Sequence, residues 1–195
     1  MNERPIAFNA PMMRALLGRN KNQTRRLIWP QPQPTPIGWR FVSEDAAFGW
    51  SGNPPLDYFG PICPYGQPGD HLWVQEEWGV AELSFDDPYT KAHYSADGAY
   101  RVIPGWHKAT EFIGPDLSFQ YCPANTMPRW ASRVLLEITQ LRVQWLGGIT
   151  EADVAAEGFR SRADFLEFFR GIYGMSNGLD PLVWVVDFSI LEVCS

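Results

Sequence analysis

The sequence predicts an α+β fold: separated short strands around few helices, with a small barrel as its compact form. Three observations predict it. Short segments of alternating or β-branched apolar residues are spread along the chain. Helix start and stop signals recur at few places. Seventeen Pro and seventeen Gly impose many turns and long ordered loops, which argues against a helical bundle. A length of 195 residues fits one domain, 1–195, carrying loop insertions at about 31–62 and 79–126. Nine Trp, seven Tyr and twelve Phe give it ample material for a core.

The elements follow in order. "RPIAFN" (4–9) alternates as a first strand. Pro11 suits the first turn of a helix, Met12, Met13, Leu16 and Leu17 recur at helical spacing, and Gly18 ends it as the residue past the cap. Lys21 to Thr24 then fall in a turn, and "TRRLIW" (24–29) leads into a short strand. "PQPQPTP" (30–36) is a proline-rich linker that cannot be a central strand. The chain stays turn-rich to Gly69. A Pro-Gly-Asp turn opens a strand in "HLWVQEEW" (71–78). Residues 79–130 read as loop, with one short strand in "AHYSAD" (92–97). "SRVLLEITQLRVQWL" (132–146) is the clearest long strand. Thr150 with Asp153 opens a short helix that Gly158 stops. Ser161 with Asp164 opens another, striped by Phe165, Phe168, Phe169 and Ile172. "DPLVWVVDFSILEV" (180–193) is the last strand.

Composition excludes several classes. No apolar run reaches the roughly 18 residues of a membrane span, so no membrane partner is expected. "MNERPIAFNAPMMRALLG" lacks the pattern of a signal peptide, so the expected location is cytoplasmic. Cys63, Cys122 and Cys194 form no C-x-x-C and no disulfide framework. His71, His93 and His107 have no metal-ligand spacing, and no metal or other cofactor is expected.

Charge is uneven. Between Arg4 and Ser43 stand Arg4, Arg14, Arg19, Lys21, Arg25, Arg26 and Arg40, while all 22 acidic residues lie outside that stretch. An anionic or electron-rich ligand near this segment would explain the excess, and so would a plain solvated basic face. Wrapping of duplex DNA is disfavoured, because it needs an extended basic face and the net charge is −6.

Chemistry nominates few residues. "GRNKNQTRR" (18–26) places Lys21 three residues before Thr24. A threonine hydroxyl needs a base to attack, and a desolvated lysine with a lowered pKa can be that base. The pattern K-x-x-T also occurs by chance. Glu157, at the end of the 150–157 helix, faces the negative end of the helix dipole, an odd place for a carboxylate unless a cation compensates. Glu76 and Glu77 read as partners for arginines. Trp39, Trp50, Trp73, Trp78, Trp106 and Trp130 lie in or beside loops, where a flat base could stack on one of them or where they build small loop cores.

These motifs resemble a known family. "GRNKNQTRR" is similar to the G-x-K-T-x-T-x-R signature of ASCH domains, relatives of the PUA-like RNA-binding fold. "ITEADVAAEGF" resembles their second motif, and "VWVVDF" their closing strand. "YGQPGDHLWVQEEW" and "MPRWASRVLLEIT" resemble the longer ASCH-like proteins of bacteriophages and prophages. The likeness covers most of 4–30, 63–78 and 127–190. It departs at Asn22, where the family has Thr.

The resemblance implies a PUA-like β-barrel with packed helices. It also implies an amidohydrolase that removes the acyl group of N(4)-acetylcytidine or a related acylated nucleoside, without a cofactor. The family's Lys, Thr and Glu fall on Lys21, Thr24 and Glu157 as catalytic residues. Arg26, Asn22, Arg25, Glu76, Trp78, Arg129 and Trp130 are the expected substrate-binding residues. Thr24 as nucleophile and a Glu157-activated water both fit. The alternative is a binding module without chemistry, a reader of single-stranded RNA or of a modified base or nucleotide.

Overall fold

Eleven strands and four α-helices account for most of residues 2–84, 89–105, 120–176 and 178–194, the part of the chain described in this computed structural model. The residues cluster into two units, one of Met1–Asn2, Arg19–Asp70 and Glu137–Ser189, the other of Glu3–Gly18, His71–Leu136 and Ile190–Ser195.

The second unit begins with β1 (Glu3–Ala7), which pairs in parallel with β6 (His71–Gln75). Between them in sequence, α1 (Ala10–Leu17) is capped by Asn9, whose side chain accepts from the Met12 amide at 3.1 Å. Met12, Met13 and Leu16 are its buried stripe. Gly18 caps the helix with an ordinary φ of −74°, and the left-handed residue is Arg19, at φ 56°. The expected glycine switch is thus one residue late, on a side chain that tolerates it poorly.

The described residues of region 79–126 are not mainly loop. β7 (Trp78–Ser84), β8 (Tyr89–Tyr94) and β9 (Tyr100–Pro104) form an antiparallel sheet. In β8 only alternate positions are buried, Thr90, Ala92 and Tyr94. Lys91 and His93 between them hide the period from a reading based on apolar runs. The strand expected over 71–78 is two strands, parted by Glu76 and Glu77, and Trp78 begins the second. Trp78, Val80, Ala92, Tyr94, Met127 and Ala131 form one core.

The first unit holds β2 (Gln23–Leu27), β3 (Gln33–Thr35), β4 (Gly38–Val42), β5 (Ala47–Trp50) and the short α2 (Leu56–Phe59). Pro34 sits in β3, an edge strand of the β3-β4-β5 sheet, the one sheet position that tolerates a missing N–H. The expected loop, 31–62, thus carries a small three-stranded sheet within its turns. α3 (Glu151–Ala156) and α4 (Arg162–Tyr173) start where their caps predict, at Thr150 and Ser161. α4 buries Phe165 and Phe169, with Tyr173 packed on the same cluster. Ile172 is 44% exposed and falls off that stripe.

Two long strands, β10 (Val134–Trp145) and β11 (Leu182–Val193), match their sequence signals. Hydrogen bonds order the main sheet β1-β6-β10-β11-β2. The class is α+β, rich in sheet. The described residues form three open sheets and no closed barrel, which corrects that part of the expectation. Among the described residues no helix is long and apolar enough to cross a membrane.

Candidate active site

β2 is the edge strand beside β11, in antiparallel register with Val186 opposite Thr24. The Phe188 amide donates to Asn22 O at 2.9 Å and the Ile28 amide to Leu182 O at 3.2 Å. Backbone groups of even-numbered residues therefore face β11, and those of Gln23, Arg25 and Leu27 face the open edge. Thr24 is the second residue of this strand, not part of the preceding turn. Side chains alternate, so Gln23 and Arg25 share one face of β2, and Thr24 and Arg26 the other.

Lys21 lies just before the strand and turns its ammonium back along the open edge. Its Nζ donates to Gln23 O at 2.7 Å, to Glu157 Oε2 at 2.6 Å and to Glu157 O at 3.2 Å. Two residues 136 apart in sequence thus meet as an ion pair whose side chains are 0% and 1% exposed. The cap geometry of α3 sets Glu157 there. Thr150 Oγ accepts from the Asp153 amide, and Asp153 accepts from the Thr150 amide at 3.1 Å. Glu157 closes the helix, its amide bonded to Asp153 O at 2.9 Å, and Gly158 breaks away at φ 88°. The carboxylate at the wrong end of a helix dipole has its compensating cations, Lys21 and Arg25.

Arg25 Nη1 stands 3.4 Å from Glu157 Oε1, and Arg25 Nη2 stands 3.2 Å from Asp153 Oδ2. Arg25 also donates to Gln23 Oε1. Gln23 Nε2 bridges Asp153 Oδ1 at 3.0 Å and Asp187 Oδ1 at 2.5 Å. Arg142 Nη2 bonds the same two aspartates, at 3.2 Å each. The result is a network of three cations and three carboxylates around one glutamine. Arg25 Nε has no hydrogen-bond partner in it. Arg25 is 2% exposed, so the network holds Arg25 for Glu157.

On the other face, Arg26 Nη1 donates to Thr24 Oγ at 2.5 Å and to Arg25 O at 3.0 Å. The Lys21 and Arg26 head groups therefore cover successive outward carbonyls of β2, about 7 Å apart along a strand. Tyr173 Oη accepts from the next outward amide, Leu27, at 3.3 Å. Asn22 is exposed, and its backbone ties the segment to α3 through Ala156 O at 2.9 Å.

Burial sets the electrostatics. It pushes the Lys21 ammonium below the usual lysine range, with Arg26 and Arg25 helping and Glu157 opposing. Burial likewise lowers Arg25, against the pull of Glu157 and Asp153. Asp153 is partly desolvated, which raises it, but bonds from Thr150, Gln23 and Arg142 outweigh burial and hold it well below the usual carboxylate range. A lysine whose pKa is lowered, held against a carboxylate, is an arrangement that could move a proton. Thr24 Oγ accepts from a guanidinium, which would stabilise negative charge developing on that oxygen.

The remaining expected residues lie in the second unit. Glu76 is 1% exposed and forms a two-pronged pair with Arg133, at 2.8 and 2.9 Å. Arg133 also reaches Asp97 at 2.9 Å and lies 4.1 Å over the Tyr94 ring. Trp78 is 0% exposed, a core residue rather than a stacking face. Trp130 packs edge-on against it at 5.6 Å, and Arg129 pairs with Glu3 at 2.7 Å. Trp106 and His107 lie outside the described residues. Gln23, Arg142, Asp153 and Asp187 were not foreseen as site residues. The visible signals were Asp187, a lone charge inside "LVWVVDF", and Asp153, read only as a helix cap. Comparison of the chain with protein-family models, with curated proteins and with solved structures finds no match.

Proposed function

We propose that the chain is an amidohydrolase of the ASCH type, with a PUA-like core, that removes the acyl group from the exocyclic amine of N(4)-acetylcytidine or a related acylated nucleoside. The observation that carries this reading is the buried Lys21–Glu157 pair at 2.6 Å, with the lysine lowered by desolvation. Strand alternation turns Thr24 to the face of Arg26, so in this proposal Lys21, as the neutral amine, takes the Thr24 proton through an intervening water while Arg26 steadies the oxygen. Thr24 Oγ attacks the acyl carbon. The C–N bond breaks, and the departing amine takes a proton from Lys21, whose charge Glu157 balances. Water then cleaves the Thr24 ester and releases the acid. Arg25 is a positioning residue for Glu157. In the same proposal the protein works in the cytoplasm, where its free Cys63, Cys122 and Cys194 stay reduced.

One observation favours a second reading, a binding module without turnover. Lys21 and Glu157 are each 2% exposed and Thr24 is 0% exposed, so the three are closed over. The test is release of cytidine from N(4)-acetylcytidine, followed by chromatography. The proposal expects turnover that Lys21→Met and Thr24→Val abolish while both variants remain folded. Absence of turnover with saturable nucleoside binding assigns the second reading. Turnover unchanged in Lys21→Met overturns the site.

A further inference from the structure

Gln23 takes no part in the reaction above, yet it stands buried among the charges around Glu157. Its orientation is determinate, because ionised carboxylates only accept and a guanidinium only donates. Nε2 therefore faces Asp153 Oδ1 at 3.0 Å and Asp187 Oδ1 at 2.5 Å, and Oε1 accepts from Arg25 Nη1. The amide carries no net charge, so it acts on the site by holding its neighbours in place.

Arg25 Nη1 has a second neighbour, Glu157 Oε1, at 3.4 Å, well beyond the roughly 2.7–2.9 Å of a charge-assisted N–H···O bond. Lys21 Nζ meets Glu157 Oε2 at 2.6 Å. The carboxylate is thus bound closely by the lysine and loosely by the arginine. Asp153 offers Arg25 no alternative. Its Oδ2 accepts from the Thr150 amide at 3.1 Å and hydroxyl at 2.8 Å, and its Oδ1 accepts from Gln23 and Arg142. A carboxylate has about four acceptor sites, and these bonds fill them. Arg25 Nη2 accordingly lies 3.2 Å from Asp153 Oδ2 without a hydrogen bond. Glu157 Oε1 carries only the long contact to Arg25 among the described residues, so it has room. Without the Gln23 acceptor, Arg25 would close on Glu157 and compete with Lys21 for it. We infer that Gln23 is a positioning residue that holds Arg25 back from Glu157 and so reserves the carboxylate for Lys21. The network that keeps Arg25 beside Glu157 also sets how close it comes, with Arg142 tying together the two aspartates that anchor the Gln23 amide. The charges acting on Lys21 are Glu157 at the end of α3 and Arg25 and Arg26 on β2, with Asp153, Arg142 and Asp187 one step behind. Any contribution of Gln23 to turnover rests on the hydrolase reading, whereas its effect on Lys21 does not.

NMR titration of the full chain with isotope-labelled lysine tests this, because the sequence holds three lysines, Lys21, Lys91 and Lys108. Lys21→Met identifies the Lys21 signal. Gln23→Leu should lower the proton affinity of Lys21 by about tenfold, as Arg25 closes on Glu157. Arg25→Met should raise it. Gln23→Leu added to Arg25→Met should change nothing further, since no guanidinium is left to restrain. Asp187→Asn removes one anchor of the amide and deletes a carboxylate rather than stranding one. It should also lower Lys21, and it carries the test if circular dichroism finds Gln23→Leu unfolded. A Lys21 titration unshifted or raised in the folded variants overturns the inference. A shift of equal size with and without Arg25 overturns it as well. If the chain hydrolyses N(4)-acetylcytidine, the limb of the pH–rate profile that belongs to Lys21 should move with the NMR signal. A Lys21 signal that moves in a chain without turnover supports the inference and refutes only the hydrolase reading.

Discussion

Glu157→Gln removes the negative half of a fully buried pair and keeps the shape. Breaking such a pair costs about 3–5 kcal/mol, because the remaining charge is stranded. A ceiling applies, since Lys21 can escape by losing its proton. Deprotonating an ordinary lysine of pKa about 10.4 costs about 4.6 kcal/mol at pH 7. The retained acceptors, Gln23 O and Glu157 O, soften the loss, so about 3–4 kcal/mol is expected at neutral pH. For a chain of 195 residues that is roughly 10 °C in Tm. The pH dependence has a definite sign. Lys21 already sits below its unfolded value, and losing Glu157 lowers it further. Between the folded and unfolded values the unfolded chain binds more protons, so stability rises with pH through that window. At pH 9 the ceiling has fallen to about 1.9 kcal/mol. Urea midpoints of wild type and variant at pH 6, 7.5 and 9 read this directly. A loss equal at all three values, or no loss at pH 7.5, refutes the claim that a buried ammonium depends on Glu157. The double variant Lys21→Met/Glu157→Leu should recover much of the loss, because two apolar side chains replace two charges.

Tyr94 is fully buried and burial pushes its phenol up to about 12. It should contribute stability that is complete below pH 10 and falls between pH 10 and 12, by roughly 2–3 kcal/mol, and Tyr94→Phe should show no such fall in alkaline unfolding. Arg19 holds φ at 56° without the freedom of glycine. Arg19→Gly should raise stability by about 0.5–1 kcal/mol in thermal melts, whereas Arg19→Val should lower it.

What could be read beforehand follows from the range of the interactions. Helix ends depend on neighbours three or four residues away, so Asn9, Thr150 and Ser161 mark their helices on their own. Long buried strands such as Val134–Trp145 carry their apolar pattern in one run. β4, β5, β8 and β9 do not, because their partners supply the other half of each small core. The meeting of Lys21 with Glu157 depends on a 136-residue closure, and the family resemblance suggested it where local pattern did not. Arg25 shows the limit of reading charge alone. It belongs to a basic run in sequence, yet alternation along β2 turns it inward to Asp153 and Glu157 while Arg26 turns to Thr24.

β2 is the edge strand of the main sheet. A sheet margin with bare carbonyls and amides invites another chain to add a strand and begin aggregation. Here Lys21 and Arg26 fold over two of those carbonyls and the Tyr173 hydroxyl occupies an amide, so three of the groups a foreign strand would seek are already engaged. The cations assigned to chemistry should therefore also guard this margin against self-association, and neutralising both should make the protein clump on concentration before it unfolds.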